Sequence, residues 1–351
     1  MAKRVKDPTN ARYNVALTQS EEEKALVQHI KDCYRSSYLY KDAIGMNDEW
    51  STAEDYWAGD VNLPEDANDP GSETNIIQSI IESQVADLVD GSMDMLVKGT
   101  GPSDEDFADD VRTVLKWIWD RNNMIVKLDE AERDRLNLGT VGWKVYFDPD
   151  ALNGRGMPVI EPRSPDCLFP DPKIKDPRRI QEGDFFIDVS PYPIKQLVRL
   201  FGERAKLVKP EGNFTNYDPR IFGEGDYDAV DEIINDQALL FEFWEKDEEG
   251  NLRRVYMAGD VILDDSDWTH KKSKDGARKS FYRKGKYPFV IIPCYRKKGK
   301  IWGLSDNKLL RPVQDMINDL DDQIRMNARL MGNLQIVVGM SAGINLKKWT
   351  N

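Results

Sequence analysis

Side chains able to act as nucleophiles, bases or metal ligands are few in this chain and badly spaced for chemistry. His29 and His270 are the only histidines. A Ser/His/Asp or Cys/His site would have to use one of them, and His29 falls in a helical surface pattern while His270 falls in a basic loop. No GxGxxG or GxxxxGK[ST] motif is present, and Gly139-Thr140-Val141-Gly142 has neither the lysine nor the spacing to cradle a phosphate. Paired acids occur at Asp109-Asp110, Asp264-Asp265 and Asp321-Asp322. A two-metal nuclease needs several acids converging on its ions, whereas adjacent acids on a helix point to different sides, so these pairs read as solvated surface. Asp264, Asp265 and Asp267 lack the regular oxygen spacing of a calcium loop. Cys33, Cys167 and Cys294 are odd in number, far apart and without a CxxC pair, which argues against a disulfide framework or zinc site and fits a reducing compartment. No catalytic, cofactor or metal residue is assigned, and the chain is expected not to be an enzyme.

The sharpest charge feature is basic. Lys271, Lys272, Lys274, Arg278, Lys279, Arg283, Lys284 and Lys286 precede Arg296, Lys297, Lys298 and Lys300, in a chain of net charge −13. Such a stretch can meet phosphates, meet the acidic flank of a neighbouring subunit, or be a solvated loop; the overall acidity favours protein contact or a loop over DNA. The Trp residues, among them Trp117, Trp119 and Trp143, are not interleaved with Lys and Arg, so they read as core or subunit interface rather than base-stacking platforms.

These residues are carried by 351 positions, enough for two or three structural units, with 32% charged and 40% hydrophobic residues and no apolar run of membrane-spanning length. Residues 1–20 are basic and polar with no apolar segment behind them, a mobile arm rather than a secretory signal. Ser20 to Glu23 forms an S-x-x-E capping box ahead of Leu26, Ile30, Tyr34 and Tyr38, predicting a helix over 21–43 that stops at Gly45. A short aromatic segment with Trp50, Tyr56 and Trp57 follows, then a polar loop. Apolar spacing predicts helices over Asn75 to Val97, from a cap at Ser103 through Trp119, and from Ile125 to Leu138, closed by Gly139. Beyond Gly142 the period becomes two. Trp143–Phe147 and Met157–Glu161 predict a hairpin, the prolines of Ser164–Pro172 an edge or connection, and Asp184–Val189 a strand before a helix at Ile194–Phe201. Residues 203–236 read as a long loop or insert, and Ala238–Glu245, Arg253–Ala258 and Val261–Leu263 as further strands. The fold class is α+β: a helical part over 21–138, then mixed strands over 139–286.

The stretch from Tyr287 to Val338 organises the rest. Strand Pro288–Pro293 leads through the basic loop and Trp302-Gly303 into a long helix whose start is marked by Ser305 as cap and Asp306 in the first turn. Leu309, Val313, Met316, Ile317, Leu320, Ile324 and Met331 form an apolar stripe expected to pack, with Asp315, Asp319, Asp322, Arg325 and Arg329 on the wet reverse face. Pro312 predicts a kink or a start just before it.

The Pro-Phe strand, basic loop, Trp302-Gly303, Ser305, Leu310, Gln314 and Asn318 resemble the passage into the stem helix of portal proteins of tailed double-stranded DNA bacteriophages. The order helix, Gly-rich turn, hairpin, Pro-x-x-aromatic-x-Asp-Pro segment is similar too. The resemblance implies a ring, expected to be a dodecamer, at one capsid vertex of the virion. Double-stranded DNA would pass through its channel in packaging and ejection, and terminase, neck and capsid proteins would dock on it; assembly would occur in host cytoplasm, without a membrane. Residues 21–286 would be the wing, 287–332 the approach and first stem helix, and 333–351 the start of a clip cut short. Arg325 and Arg329 would contact DNA in the channel, while Lys271, Lys272, Lys274, Arg296, Lys297 and Lys298 would contact a subunit or DNA. Two alternatives remain: a neck or tail adaptor, which needs no long stem helix, and a divalent-metal nuclease.

Overall fold

The structure, a computed structural model, describes residues 20–61, 74–89, 95–99, 101, 104–210, 237–266, 281–282 and 285–332. The first helix, α1 (Glu21–Ala43), starts where Ser20 Oγ accepts the Glu23 N–H at 3.1 Å. The other half of the expected capping box is spent elsewhere: the Glu23 carboxylate takes two hydrogen bonds from the buried Arg204, at 2.8 and 2.9 Å. A charged donor outcompetes the helix's own N–H for that carboxylate. Gly45, at φ 69°, turns the chain directly into α2 (Met46–Ala58), so the aromatic segment is a helix, and its Trp50 is buried.

Helix α3 (Ile76–Val89) buries Ile77, Ile81 and Val85 and ends earlier than the periodicity predicts. Met95 is not helical. α4 (Glu105–Arg121) follows; its expected cap Ser103 lies outside the described residues. α5 (Met124–Leu138) ends at Gly139, φ 81°.

From Gly139 the chain enters β1 (Thr140–Asp148), paired antiparallel with β2 (Met157–Arg163) in the expected hairpin and, on its other side, with β8 (Phe289–Pro293). A second antiparallel sheet runs in the order β3 (Leu168–Pro170), β4 (Phe185–Pro193), β5 (Gln237–Lys246), β6 (Leu252–Ala258), β7 (Val261–Asp265). Pro170 sits in the edge strand β3, as a residue without an N–H should. Helix α6 (Ile194–Phe201) links β4 to a 3-10 turn, Gly202–Leu207, that buries Arg204 and Ala205, so the segment after Gly202 begins as ordered structure rather than loop.

One face of the five-stranded sheet, with Phe241, Phe243, Val255 and Met257, packs under Val27, Ile30 and Tyr34 of α1. The opposite face meets the three-stranded sheet: Phe186 stacks on Phe289 at 4.3 Å between centroids. Lys144 of β1 is ion-paired to Asp188 and Glu242, and Arg163 to Asp188. A largely enclosed lysine between two buried carboxylates fixes the facing of the two sheets, because sliding either one would strand a charge in the interior. Trp50, Trp244 and Trp302 fill this inter-sheet core.

Candidate functional site

The long helix α7 (Asp306–Gly332) is aimed by the junction that precedes it. Tyr295 and Leu304 exchange backbone hydrogen bonds of 3.2 and 2.8 Å, closing the basic loop Arg296–Lys300 into a ring. Gly303 then crosses Gly139 so closely that a Cβ would lie 2.4 Å from the Gly139 carbonyl oxygen, and its N–H donates to Thr140 Oγ1 at 2.8 Å. Trp302 is locked beside it, with Trp50 edge-on at 5.2 Å and the buried Lys41 ammonium 5.2 Å from its ring. Lys41 itself donates to the Pro165 and Asp166 carbonyls, and burial pushes its pKa down to about 7. Ser305 Oγ accepts the Lys308 N–H at 3.1 Å, the expected cap, and α7 then runs on through Pro312, well inside the helix rather than at its start.

The packing of α7 departs from what its stripe predicts: Asp315, Asp319 and Arg329 are exposed as expected, but the stripe is not the face that packs. Its buried residues are Asp306, Asn307, Gln314 and Asn318. Asn307 Nδ2 donates to Ala53 O at 2.9 Å and to Asn137 Oδ1 at 2.8 Å, and Arg311 is ion-paired with Glu49. Gln314 Oε1 accepts the Ile76 and Ile77 N–H groups at 2.9 and 3.4 Å, so a side chain of α7 caps the N-terminus of α3, while its Nε2 donates to Thr74 O and Asn318 Oδ1. Further along, the Tyr56 hydroxyl donates to Asp315 and the Thr74 hydroxyl to Asp321. This face is hydrophilic because its partners are backbone amides, carbonyls and helix ends that need polar atoms. Most of the apolar stripe is at the surface: Leu309 is 52% exposed, Met316 56%, Leu320 49% and Ile324 64%. Only Leu310 and Ile317 are half-buried among the apolar side chains of α7.

Of the predicted contact residues, Arg325 and Arg329 lie on the last turns of α7, Arg329 exposed. Arg296 is ion-paired with Asp176 at 3.1 Å, beside Arg178, and the two guanidiniums, Arg178 first, hold the Asp176 pKa down to about 2. Lys297 and Lys298 are exposed on the loop. Lys271, Lys272 and Lys274 lie outside the described residues. A second apolar surface escaped the sequence reading: α4 buries only Ala108 and leaves Phe107 70%, Val114 55% and Trp117 40% exposed.

His29 does meet a cysteine and a carboxylate, a grouping its four-residue spacing from Cys33 on a helix could have signalled. Both Cys33 Sγ, at 3.8 Å, and Glu245 Oε1, at 2.8 Å, face the same Nε2 atom. A nucleophile relay needs its imidazole to use both nitrogens, so this is an ion-pair site. Among the described residues no group of three or more His, Cys, Asp or Glu side chains could hold a metal, and no helix is long and apolar enough to cross a membrane.

The geometry is thus that of a fold with a polar internal socket for one long helix and apolar helix faces turned outward. No curated protein matches the chain. A family model described as phage P22-like portal protein matches residues 52–287, from within α2 to two residues before the last strand begins. With that match covering most of the sequence, the chain belongs to the phage P22-like portal protein family.

Proposed function

We propose that this chain is the subunit of a ring at a capsid vertex, the channel for genome packaging and ejection, with α7 as its first stem helix. The observation that carries the reading is the inside-out polarity of α7. A helix whose polar face is consumed within its own subunit and whose Leu309, Val313, Met316, Leu320 and Ile324 face outward requires a neighbour to cover them. Covering the exposed half of each such side chain contributes about 1 kcal/mol, so the five supply roughly 5 kcal/mol per interface before association costs. In this reading residues 21–286 are the wing and residues beyond 332 begin the clip that docks terminase and neck proteins. The ring number is expected to be twelve. Arg325 and Arg329 give weak, salt-screened contacts to passing DNA, and the net charge of −13 keeps that DNA mobile.

Solution mass measurement with negative-stain imaging tests this. The wild-type chain is expected to form closed rings with a central hole, and Leu320→Asp with Ile324→Asp to give monomers of unchanged circular dichroism. A wild-type chain that stays monomeric at high concentration overturns the reading.

A further inference from the structure

Beneath the basic loop, where α2 and α7 both begin, lies a half-enclosed recess of ≈ 50 Å³. Its walls bring Lys297 and Lys300 from the loop to Lys308 and Ser305 of the α7 start. Gly45 and Met46 supply the start of α2, a helix whose first turn has no side-chain cap. Trp302 completes the wall: it is 1% exposed, and its indole Nε1 is a buried donor with no hydrogen-bond partner among the described residues. Three lysines therefore converge here from the loop and the α7 start, and the acid in the wall, Glu49, is already ion-paired. Glu49 is ion-paired with both Lys308 and Arg311, so its charge stays countered by Arg311, at 2.8 Å, when Lys308 turns to a ligand.

We propose that this recess binds a phosphate group, held by Lys297, Lys300 and Lys308 over the start of α7. The chemistry favours phosphate over carboxylate. The cations in the wall are lysines, compact point charges suited to a multiply charged tetrahedral anion, and no arginine fork lines the wall to select a planar carboxylate. Helix starts add N–H groups and a favourable dipole to the same anion. The ligand's source is either free phosphate or the backbone of DNA. In both cases it would bridge α2, the loop and α7 at the root of the long helix. This inference rests on the recess itself and stands apart from ring assembly.

Calorimetric titration of the full chain with inorganic phosphate, at ionic strength held constant with chloride, tests the site. A parallel titration uses short duplex DNA. Wild type is expected to show saturable binding of one phosphate per chain. Lys297→Ser with Lys300→Ser is expected to weaken it about tenfold or more, while Lys298→Ser, on the same loop but outside the recess, leaves it unchanged. Circular dichroism of all variants checks the fold. Binding of duplex but not free phosphate, with the same pattern among variants, supports the site and assigns its ligand to DNA. Absence of both, or equal loss in the Lys298→Ser variant, overturns the proposal.

Discussion

Replacing Gln314 with leucine keeps the side chain's bulk and removes its amide. In the wild type that amide serves four partners: Oε1 accepts from the N–H groups of Ile76 and Ile77, and Nε2 donates to Thr74 O and Asn318 Oδ1. Loss of a helix N-terminal cap costs about 0.5–2 kcal/mol, and a buried donor left unpaired about 1–3 kcal/mol. The two costs overlap at Ile76 and Ile77, so Gln314→Leu is expected to destabilise the α3–α7 contact by about 2–3 kcal/mol. Gln314→Glu should lose only about 1 kcal/mol. It keeps the acceptor and places a negative charge at the α3 N-terminus, worth ~0.3–1 kcal/mol, but turns a second acceptor toward Thr74 O and Asn318 Oδ1. Amide hydrogen exchange reads this locally. Protection of Ile76 and Ile77 should fall roughly 30- to 150-fold in the leucine variant and less in the glutamate variant. Unchanged exchange in Gln314→Leu, with stability within about 0.5 kcal/mol of wild type, would refute the claim that this glutamine joins the two helices.

The His29 imidazole is held up to about 10 by Cys33 first and then Glu245, against burial. A folded value above the unfolded ~6.5 means this contribution is full below pH ~6.5 and fades as pH rises through about 10. With the side chain 48% exposed, solvent limits it to about 1 kcal/mol. An NMR titration of the ring, and loss of that pH dependence in His29→Gln, check it. The Asp134 carboxyl is raised to about 7 by burial and by Asp166, Glu130 and Glu54, so it favours the folded state most at low pH and loses that as pH climbs through about 7. Asp134→Asn should therefore stabilise the protein at pH 8 by up to ~4 kcal/mol and change little at pH 4, as read from urea midpoints. Gly303→Ala would press a methyl group against the Gly139 carbonyl and the Pro293 ring, with a cost of about 3 kcal/mol or more visible as a lowered melting temperature.

Elements with strong local signals were legible in the sequence. The Ser20 cap, the Gly139 stop, the hairpin, the edge prolines and α6 all follow from short-range rules and appear as expected. Helix α2 was missed because an aromatic-rich run of thirteen residues shows no clean apolar period, and its start depends on a left-handed Gly45. The orientation of α7 was misread for a deeper reason. Amphipathic spacing tells that two faces differ, not which of them meets the subunit's own core. Here the inner face meets backbone amides and carbonyls, so Asn307, Gln314 and Asn318 point in while Leu309 and Leu320 face out. The recess under the basic loop joins residues 45 and 297–308, a proximity no local pattern encodes.

The glutamine cap also makes α7 a keyed shaft. Each residue step along a helix turns its surface by about 100°, so a one-residue rotation of α7 would offer α3 either Val313, which cannot accept a hydrogen bond, or Asp315, which can but is held by Tyr56. The socket therefore accepts the helix at one angular setting. Torque on the protruding end of α7 is resisted at Gln314, and if that contact yields, the first turn of α3 loosens with it.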